Sequence, residues 1–436
     1  MITVRRKKNN KSALVALLML ALVVALAACG GSSGDVDAIL EKDTASPEEL
    51  DSRSGMTQQD AGEAVQEQAG SYAAAQDAQS GLWGYVNEQG AWAIQPQFSD
   101  AKSFSENGLA LVNDPQSELS GYINRGGEWV IPPQFIDADP FSANGLASAG
   151  DSQSGLIGYI NEKGEWVIPP QFKSDVPFSA NGFALQKDLE SELWGYIDEK
   201  GEWAIPPQFG DDSGLYFSDN GLVYVEDETY QGVGYINETG AWVIQPQFNR
   251  AGNFSPNDFA AASDQYSGLY GYIDERGEWA IPPQFSSGYP FSENGLAGVQ
   301  ESLPEDSEEA DMGYEGLWGF VNEKGEWAIP PQFSQIFPFS KNGLARVQES
   351  LPENSEEADM EYEGLWGFVN EKGEWAIPPQ FSEIYSFSAN GLALANDPQS
   401  ELWGYINEKG EWAIQPQYGQ ANPFVPHLES DLPFIE

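Results

Sequence analysis

Few residues in this chain could do chemistry. His427 is the only histidine, in the C-terminal stretch FVPHLESD, and a Ser-His-Asp set would have to use it. Its place in a terminal tail favours an ordinary surface residue. Cys29 is the only cysteine, which leaves too few His and Cys side chains for a zinc site and no disulfide partner. No Gly-rich phosphate loop stands in a strand–helix setting. Carboxylates are abundant, at 68 Asp+Glu, and a glycosidase needs only two. They recur in repeated turns, such as those holding Glu323 and Glu371, and nothing marks one pair as different. The NEKGE turns place carboxylates near a glycine, but the D-x-D-x-D-G pattern of a calcium loop is absent, so they read as hairpin geometry. The expectation is a non-catalytic chain without metal or other cofactor.

The elements that would position any site are repeats. The glycine of Trp-Gly-Tyr falls at Gly84, Gly121, Gly158, Gly195, Gly234, Gly271, Gly319, Gly367 and Gly404, mostly 37 residues apart. Two spacings of 48 carry near-identical inserts, ESLPEDSEEADMGYEG and ESLPENSEEADMEYEG. Nine units are therefore expected over residues 71–424.

Each unit reads as three short strands. In the last one these are GLALA (391–395), LWGYIN (402–407) and EWAI (411–414). Asn407-Glu408-Lys409-Gly410 joins the second to the third as a type I turn followed by a glycine of positive φ. Proline cannot donate to a ladder, so the third strand is expected to stop at Pro132, Pro169 and their equivalents. About 12 residues with two aromatics, such as Phe381 and Phe387, then return the chain to an Asn-Gly turn. No stretch of the repeats has helical periodicity. The fold class is all-β: nine three-stranded meanders in a propeller-like or toroidal arrangement, with an open curved solenoid as the alternative. The chain starts and stops in the same phase of the unit, which predicts that no strand is shared across a closing seam.

Two tryptophan rows follow. Trp92, Trp129, Trp166, Trp203, Trp242, Trp279, Trp327, Trp375 and Trp412 fill one place in every unit. Lying two residues before an Ile or its equivalent, they are expected to share its face and form the core between units. The other row is Trp83, Ser120, Ile157, Trp194, Val233, Tyr270, Trp318, Trp366 and Trp403. Its tolerance of Ser and Val predicts partial exposure. Packing is the plainer role for it, and Trp83, Trp194, Tyr270, Trp318, Trp366 and Trp403 are the candidates for stacking on a sugar or gripping a peptide.

The unit consensus WGYINEKGEWAIPPQF resembles the WG-repeat (KWG) family of bacterial proteins over residues 71–424. The resemblance implies a β-rich repeat scaffold, often on exported or surface proteins, and no particular reaction. The two inserts, and Ser120, Ile157, Val233 and Tyr270 at the first Trp place, depart from the short form.

The N-terminus speaks to location. Arg5, Arg6, Lys7, Lys8 and Lys11 precede 16 apolar residues at 13–28, a signal-peptide pattern too short to span a membrane. The sequence then reads Leu26-Ala27-Ala28-Cys29-Gly30, which resembles the lipobox of bacterial lipoproteins. The resemblance implies cleavage before Cys29 and a diacylglycerol on its thiol, with two acyl chains anchoring durably where one would not. Residues 29–70, rich in Gly, Ser, Asp, Glu, Gln and Ala, read as a flexible tether and 425–436 as a short tail. The expected location is the cell membrane, by lipid anchor, on the extracytoplasmic face.

Charge bounds the partners. Removing the leader leaves 15 Lys+Arg against 68 Asp+Glu. Such a surface repels nucleic acid and attracts basic proteins or cations, and it also keeps an exported domain soluble. Both inserts fall between the first and second strands of adjacent units. Glu305, Asp306, Glu308 and Glu309 are therefore expected beside Glu353, Glu356, Glu357 and Asp359 as an acidic rim. The sequence reading is a lipid-anchored scaffold for a basic or cell-envelope protein, with a wall-polysaccharide or other carbohydrate binder as the alternative.

Overall fold

The computed structural model describes residues 71–210, 214–227, 232–303, 316–350 and 364–425. These are β-strands and turns throughout. The sixth unit shows the construction. Its first strand, Ala260–Asp264, pairs antiparallel with its second, Tyr270–Ile273, with Ala261 opposite Tyr272. The third strand, Trp279–Phe291, pairs with the second: Ile273 opposite Trp279, Tyr272 opposite Ile281, Tyr270 opposite Phe285. The register slips twice. One extra residue lies between Trp279 and Ile281, and Pro282, Pro283 and Gln284 stand against Gly271 alone.

The prolines therefore do not stop the strand. They sit in a bulge, where a missing N–H leaves no ladder bond unmade. On an edge strand a Pro-Pro pair also withholds the donors that another chain would need to add on. The bulge lies over the glycine of Trp-Gly-Tyr. A Cβ on Gly271 would stand 2.4 Å from the Ile281 carbonyl oxygen and 2.8 Å from the Pro283 nitrogen, and the other eight glycines meet the same backbone at 2.5–2.6 Å.

The strand then runs on into the next unit. Phe285 pairs with Tyr270 on one side and with Glu301 of the following first strand, Leu296–Glu301, on the other. The supposed return segment is thus a fourth strand, joined to its own unit by chain direction and to the next by hydrogen bonds. Seven of the nine units show this pairing among the described residues. In the fifth unit it is reduced to two backbone bonds, Gly210 to Glu226 and Gly214 to Tyr224. The three-stranded unit read from sequence is corrected to a four-stranded one.

The ring closes by the same device. The last strand, Trp412–Ala421, pairs with Tyr72–Asp77, placing Ala421 opposite Ala75 and Gln420 opposite Gln76. The C-terminal residues thus supply the fourth strand of the first unit, contrary to the expectation that nothing is shared across the seam. Equal phase at the two ends concealed this, because the shared strand lay in what read as a connection.

Every junction between units repeats two contacts, and seven of the nine add a third, a tyrosine hydroxyl bond. The buried tyrosine of Trp-Gly-Tyr donates its hydroxyl to a carbonyl of the following unit's fourth strand, as Tyr122 does to Asp139 and Tyr272 to Tyr289. Phe320 and Phe368 take that place in the seventh and eighth units. The hairpin glycine, at φ near +75 to +80°, packs on the preceding unit's third-strand isoleucine, as Gly164 does on Ile131. The third-strand tryptophan meets the preceding Phe edge-on. The seam has all three: Tyr405 to the Asn422 carbonyl at 2.7 Å, Gly90 against Ile414, and Trp92 against Tyr418. Burial pushes the Tyr418 hydroxyl up to about 12.

At the turns between first and second strands, Asp77, Asp114, Asp151, Asp188, Asp264 and Asp397 each accept the amide and hydroxyl of a Ser three residues on. Bonds from that Ser hold all six carboxyls below the usual aspartate range. A depressed folded-state value means the turn's contribution is complete above the ordinary Asp range and is lost as the pH falls through the depressed value. Acidification below about pH 4 should therefore speed amide exchange at Ser80, Ser117 and Ser154 before the tyrosine-bearing strands respond. Exchange that begins in those strands instead would contradict this order.

Candidate binding surfaces

The two tryptophan rows exchange roles. Trp83, Tyr270, Trp318 and Trp366 are buried at 7–9 % exposure, and Ser120, Ile157 and Val233 are buried beside them. Trp194 and Trp403 are half-buried. The expected exposure of this row is corrected. Its larger members pack on aromatics of the fourth strands: Tyr289 on Trp318, Phe337 on Trp366, Tyr385 on Trp403. The small Ser120 is satisfied differently, donating its hydroxyl to Asn113 Oδ1 at 2.9 Å.

The invariant row is the more exposed one. Trp129, Trp166, Trp327 and Trp375 keep 36–40 % of their surface, and the other five are partly buried. The extra residue after each Trp breaks the two-residue alternation, so Trp and Ile no longer share a buried face. Each ring instead leans edge-on against the preceding unit's Phe, or Tyr418 at the seam. Centroids lie 5.4–6.3 Å apart and planes 79–88° apart at all nine junctions. A T-shaped contact of this kind contributes about 0.5–1.5 kcal/mol beyond its buried area. Each indole thus keeps part of its surface open, most in Trp129, Trp166, Trp327 and Trp375.

The second-to-third-strand turns carry an acidic series: Glu88, Glu162, Glu199, Glu238, Glu275, Glu323, Glu371 and Glu408, with Arg125 in the second unit. Five of these accept an amide from the Asn of a return turn entering the previous unit, as Glu199 does from Asn144 and Glu371 from Asn294. Both kinds of turn therefore gather at one end of the ring. There the return turns of the fourth to eighth units line a cavity of about 1320 Å³. Sequence reasoning missed it because it is made of segments read as connections. The Pro of the Pro-Phe-Ser pattern gives way to Tyr216 and Asn253 on this wall, and also to Ser103 and Ser386 away from it.

The inserts leave from the opposite end. Their stems are alike: Leu317 donates to the Glu301 carboxylate at 3.1 Å and Leu365 to that of Glu349 at 3.2 Å. The eight acidic-rim residues Glu305, Asp306, Glu308, Glu309, Glu353, Glu356, Glu357 and Asp359 lie outside the described residues, as do Cys29 and His427. Among the described residues, no group of three or more His, Cys, Asp or Glu is placed to hold a metal ion, and no helix is long and apolar enough to cross a membrane.

Nine repeat units, seven of them four-stranded among the described residues, close on one another in a propeller-like ring. The chain belongs to the WG containing repeat family, which matches residues 83–114, 121–149, 157–185, 194–227, 234–264, 270–302, 318–350, 366–396 and 403–425. No curated protein sequence matches it. Among solved structures it is similar to a eukaryotic initiation factor, at TM-score 0.56 and 11 % identity over 81 % of this chain and 98 % of that one. It also aligns with Hsv2p of Kluyveromyces lactis, at TM-score 0.35 and 10 % identity over 75 % and 98 %. AztD of Citrobacter koseri aligns at TM-score 0.36 and 10 % identity over 80 % and 96 %. The first of these likenesses is one of fold alone.

Proposed function

We infer that the chain is a lipid-anchored, extracytoplasmic scaffold that binds a basic protein partner and catalyses no reaction. The observation that carries this reading is the division of roles within each unit. Gly, Tyr, Ile and Phe tie one unit to the next, while the acids of the turns and part of each tryptophan stay at the surface in register. A partner engaging several units gains avidity without any unit binding tightly. Acidic surfaces steer basic partners and make their capture salt-sensitive.

The inserts extend the acidic surface. Deleting residues 304–315 and 352–363 together removes twelve acids. Deletion should weaken capture of a basic envelope protein about tenfold at low salt, with less effect at high salt. Unchanged affinity would remove the inserts from the binding surface. A partner recovered equally at both salts would count against a charge-driven scaffold.

A second reading rests on the half-exposed Trp129, Trp166, Trp327 and Trp375. These indoles suit stacking on a wall polysaccharide, and stacking survives salt that disrupts charge pairing. Retention of wall glycan at high salt, lost in a Trp327→Ala/Trp375→Ala variant, would favour it over the protein-binding reading.

A further inference from the structure

The junction between the third and fourth units is built unlike the other eight. Seven of those carry a strand ladder from return segment to following first strand, and the junction after the fourth unit carries two backbone bonds. Here there is neither among the described residues. The first strand of the fourth unit, Ala184–Lys187, forms ladder pairs only with the second, Trp194–Ile197. Val176 makes no backbone bond to Leu185, whereas at the equivalent places Asp139 donates to Ser148 and Tyr385 to Leu394.

The packing at this junction also differs. The place of residue 186 holds only Ala or Val in the other eight units, from Ala75 and Val112 to Val347 and Ala395. Gln186 is fully buried there. Its Nε2 donates to the Tyr159 hydroxyl at 2.7 Å, and that hydroxyl donates to the Val176 carbonyl at 2.6 Å. The Gln186 Oε1 atom, equally buried, has no hydrogen-bond partner. A buried amide oxygen left unpaired favours any state in which water reaches it. The aromatic contacts on both sides of the fourth unit are the longest of the nine. They are 6.2 Å for Phe172–Trp203 and 6.3 Å for Phe209–Trp242, against 5.4–5.9 Å elsewhere. Side chains hold the junction shut: Gln186 on Tyr159, and Asn144 on Glu199 at 3.2 Å. Tyr159 keeps the return segment on the third unit, so the gap falls between that segment and Ala184–Lys187.

We propose that this junction is the ring's opening point. The return segment stays with the third unit while Ala184–Lys187 parts from it, locally and reversibly, with the other junctions closed. Gln186 poises the junction to open, because the open state gives its amide oxygen to water. Opening of this kind is a property of the ring alone, whatever the ring binds.

Thiol labelling tests this in the full chain with Cys29→Ser. Leu185 and Leu111 occupy the same place in their first strands and are 2 % and 3 % exposed. Under native conditions a Leu185→Cys variant should react with a soluble thiol reagent at least about tenfold faster than a Leu111→Cys variant. Its rate should change little in low urea, since a local opening exposes little surface, while the Leu111→Cys rate should climb. Adding Gln186→Val, the residue type of the second unit, should slow labelling of the Leu185→Cys chain at least about fivefold. Native-state hydrogen exchange of the unaltered chain makes the same comparison without a cysteine. Residues 184–187 should exchange ahead of 110–113, by an opening insensitive to urea. Equal labelling in the two variants, a steep urea dependence at both, or a Gln186→Val change that leaves the rate as it was would overturn the proposal. So would exchange at 184–187 as slow as at 110–113.

Discussion

Gly271→Ala should destabilise the ring by about 3 kcal/mol or more and lower its thermal midpoint by at least about 6 °C. The glycine is not there for its backbone angles, since it does not have a positive φ. It is there because the bulge at Pro282-Pro283 passes directly over its α-carbon. An added methyl would meet the Ile281 carbonyl oxygen at 2.4 Å, the Pro283 nitrogen at 2.8 Å and the Pro282 carbonyl carbon at 2.9 Å. These are backbone atoms held by the ladder on both sides of the bulge, so no side-chain rotation relieves the clash. Gly126→Ala is the control. Gly126 also lacks a positive φ, and its nearest neighbour would be the Asn124 Oδ1 atom at 3.2 Å. That change should stay within about 1 kcal/mol. Equal midpoints for the two variants, measured by thermal unfolding, would remove the bulge from the explanation of the Trp-Gly motif.

Ending the chain after Gln417 should be more damaging, with a loss of at least about 5 kcal/mol. The removed residues include Tyr418 and Phe424, which are 2 % and 0 % exposed. Burial of each large side chain contributes about 1.5–3 kcal/mol. Tyr405 also loses the Asn422 carbonyl that accepts its buried hydroxyl, a further 1–3 kcal/mol, roughly. Residues 75–77 would become an open sheet edge, and open edges invite pairing with other chains. The shortened protein should therefore unfold at lower denaturant and associate with rising concentration. Ending the chain after Val425 keeps every seam contact named above and should leave both properties near wild type. A Gln417 truncation as stable as the full chain would mean the seam contributes little.

Much of the ring was legible in the sequence. The nine units, their hairpin glycines at positive φ and the short strands all follow from spacing and turn chemistry. The errors share a cause. A bulge leaves no mark on residue type, so by spacing alone Trp-x-Ile reads as one face and Pro-Pro as a strand end. Once the strand continues through Pro282 and Pro283, the supposed connection around Tyr289 becomes a strand. The Trp279 row is then the more exposed one, and Trp318, Trp366 and Trp403 of the other row find their cover in the fourth-strand segments of their own units. Variation at Trp83, Ser120 and Val233 does not reflect exposure, since all three are buried. The cavity was hidden for the same reason, and Tyr216 and Asn253, like Ser103 and Ser386, are breaks in a Pro-Phe pattern kept in five units.

Closure of the ring by the C-terminal strand is the claim on which the rest depends, and a cross-link tests it directly. Gln76 and Gln420 lie opposite each other across the seam. Cysteines at both positions, in the full chain with Cys29→Ser, should form an intramolecular disulfide on mild oxidation. A protease cut in a loop between two units would then leave fragments that separate only under reducing conditions. Fragments that separate without reductant, or a disulfide formed only between chains, would contradict the closed ring.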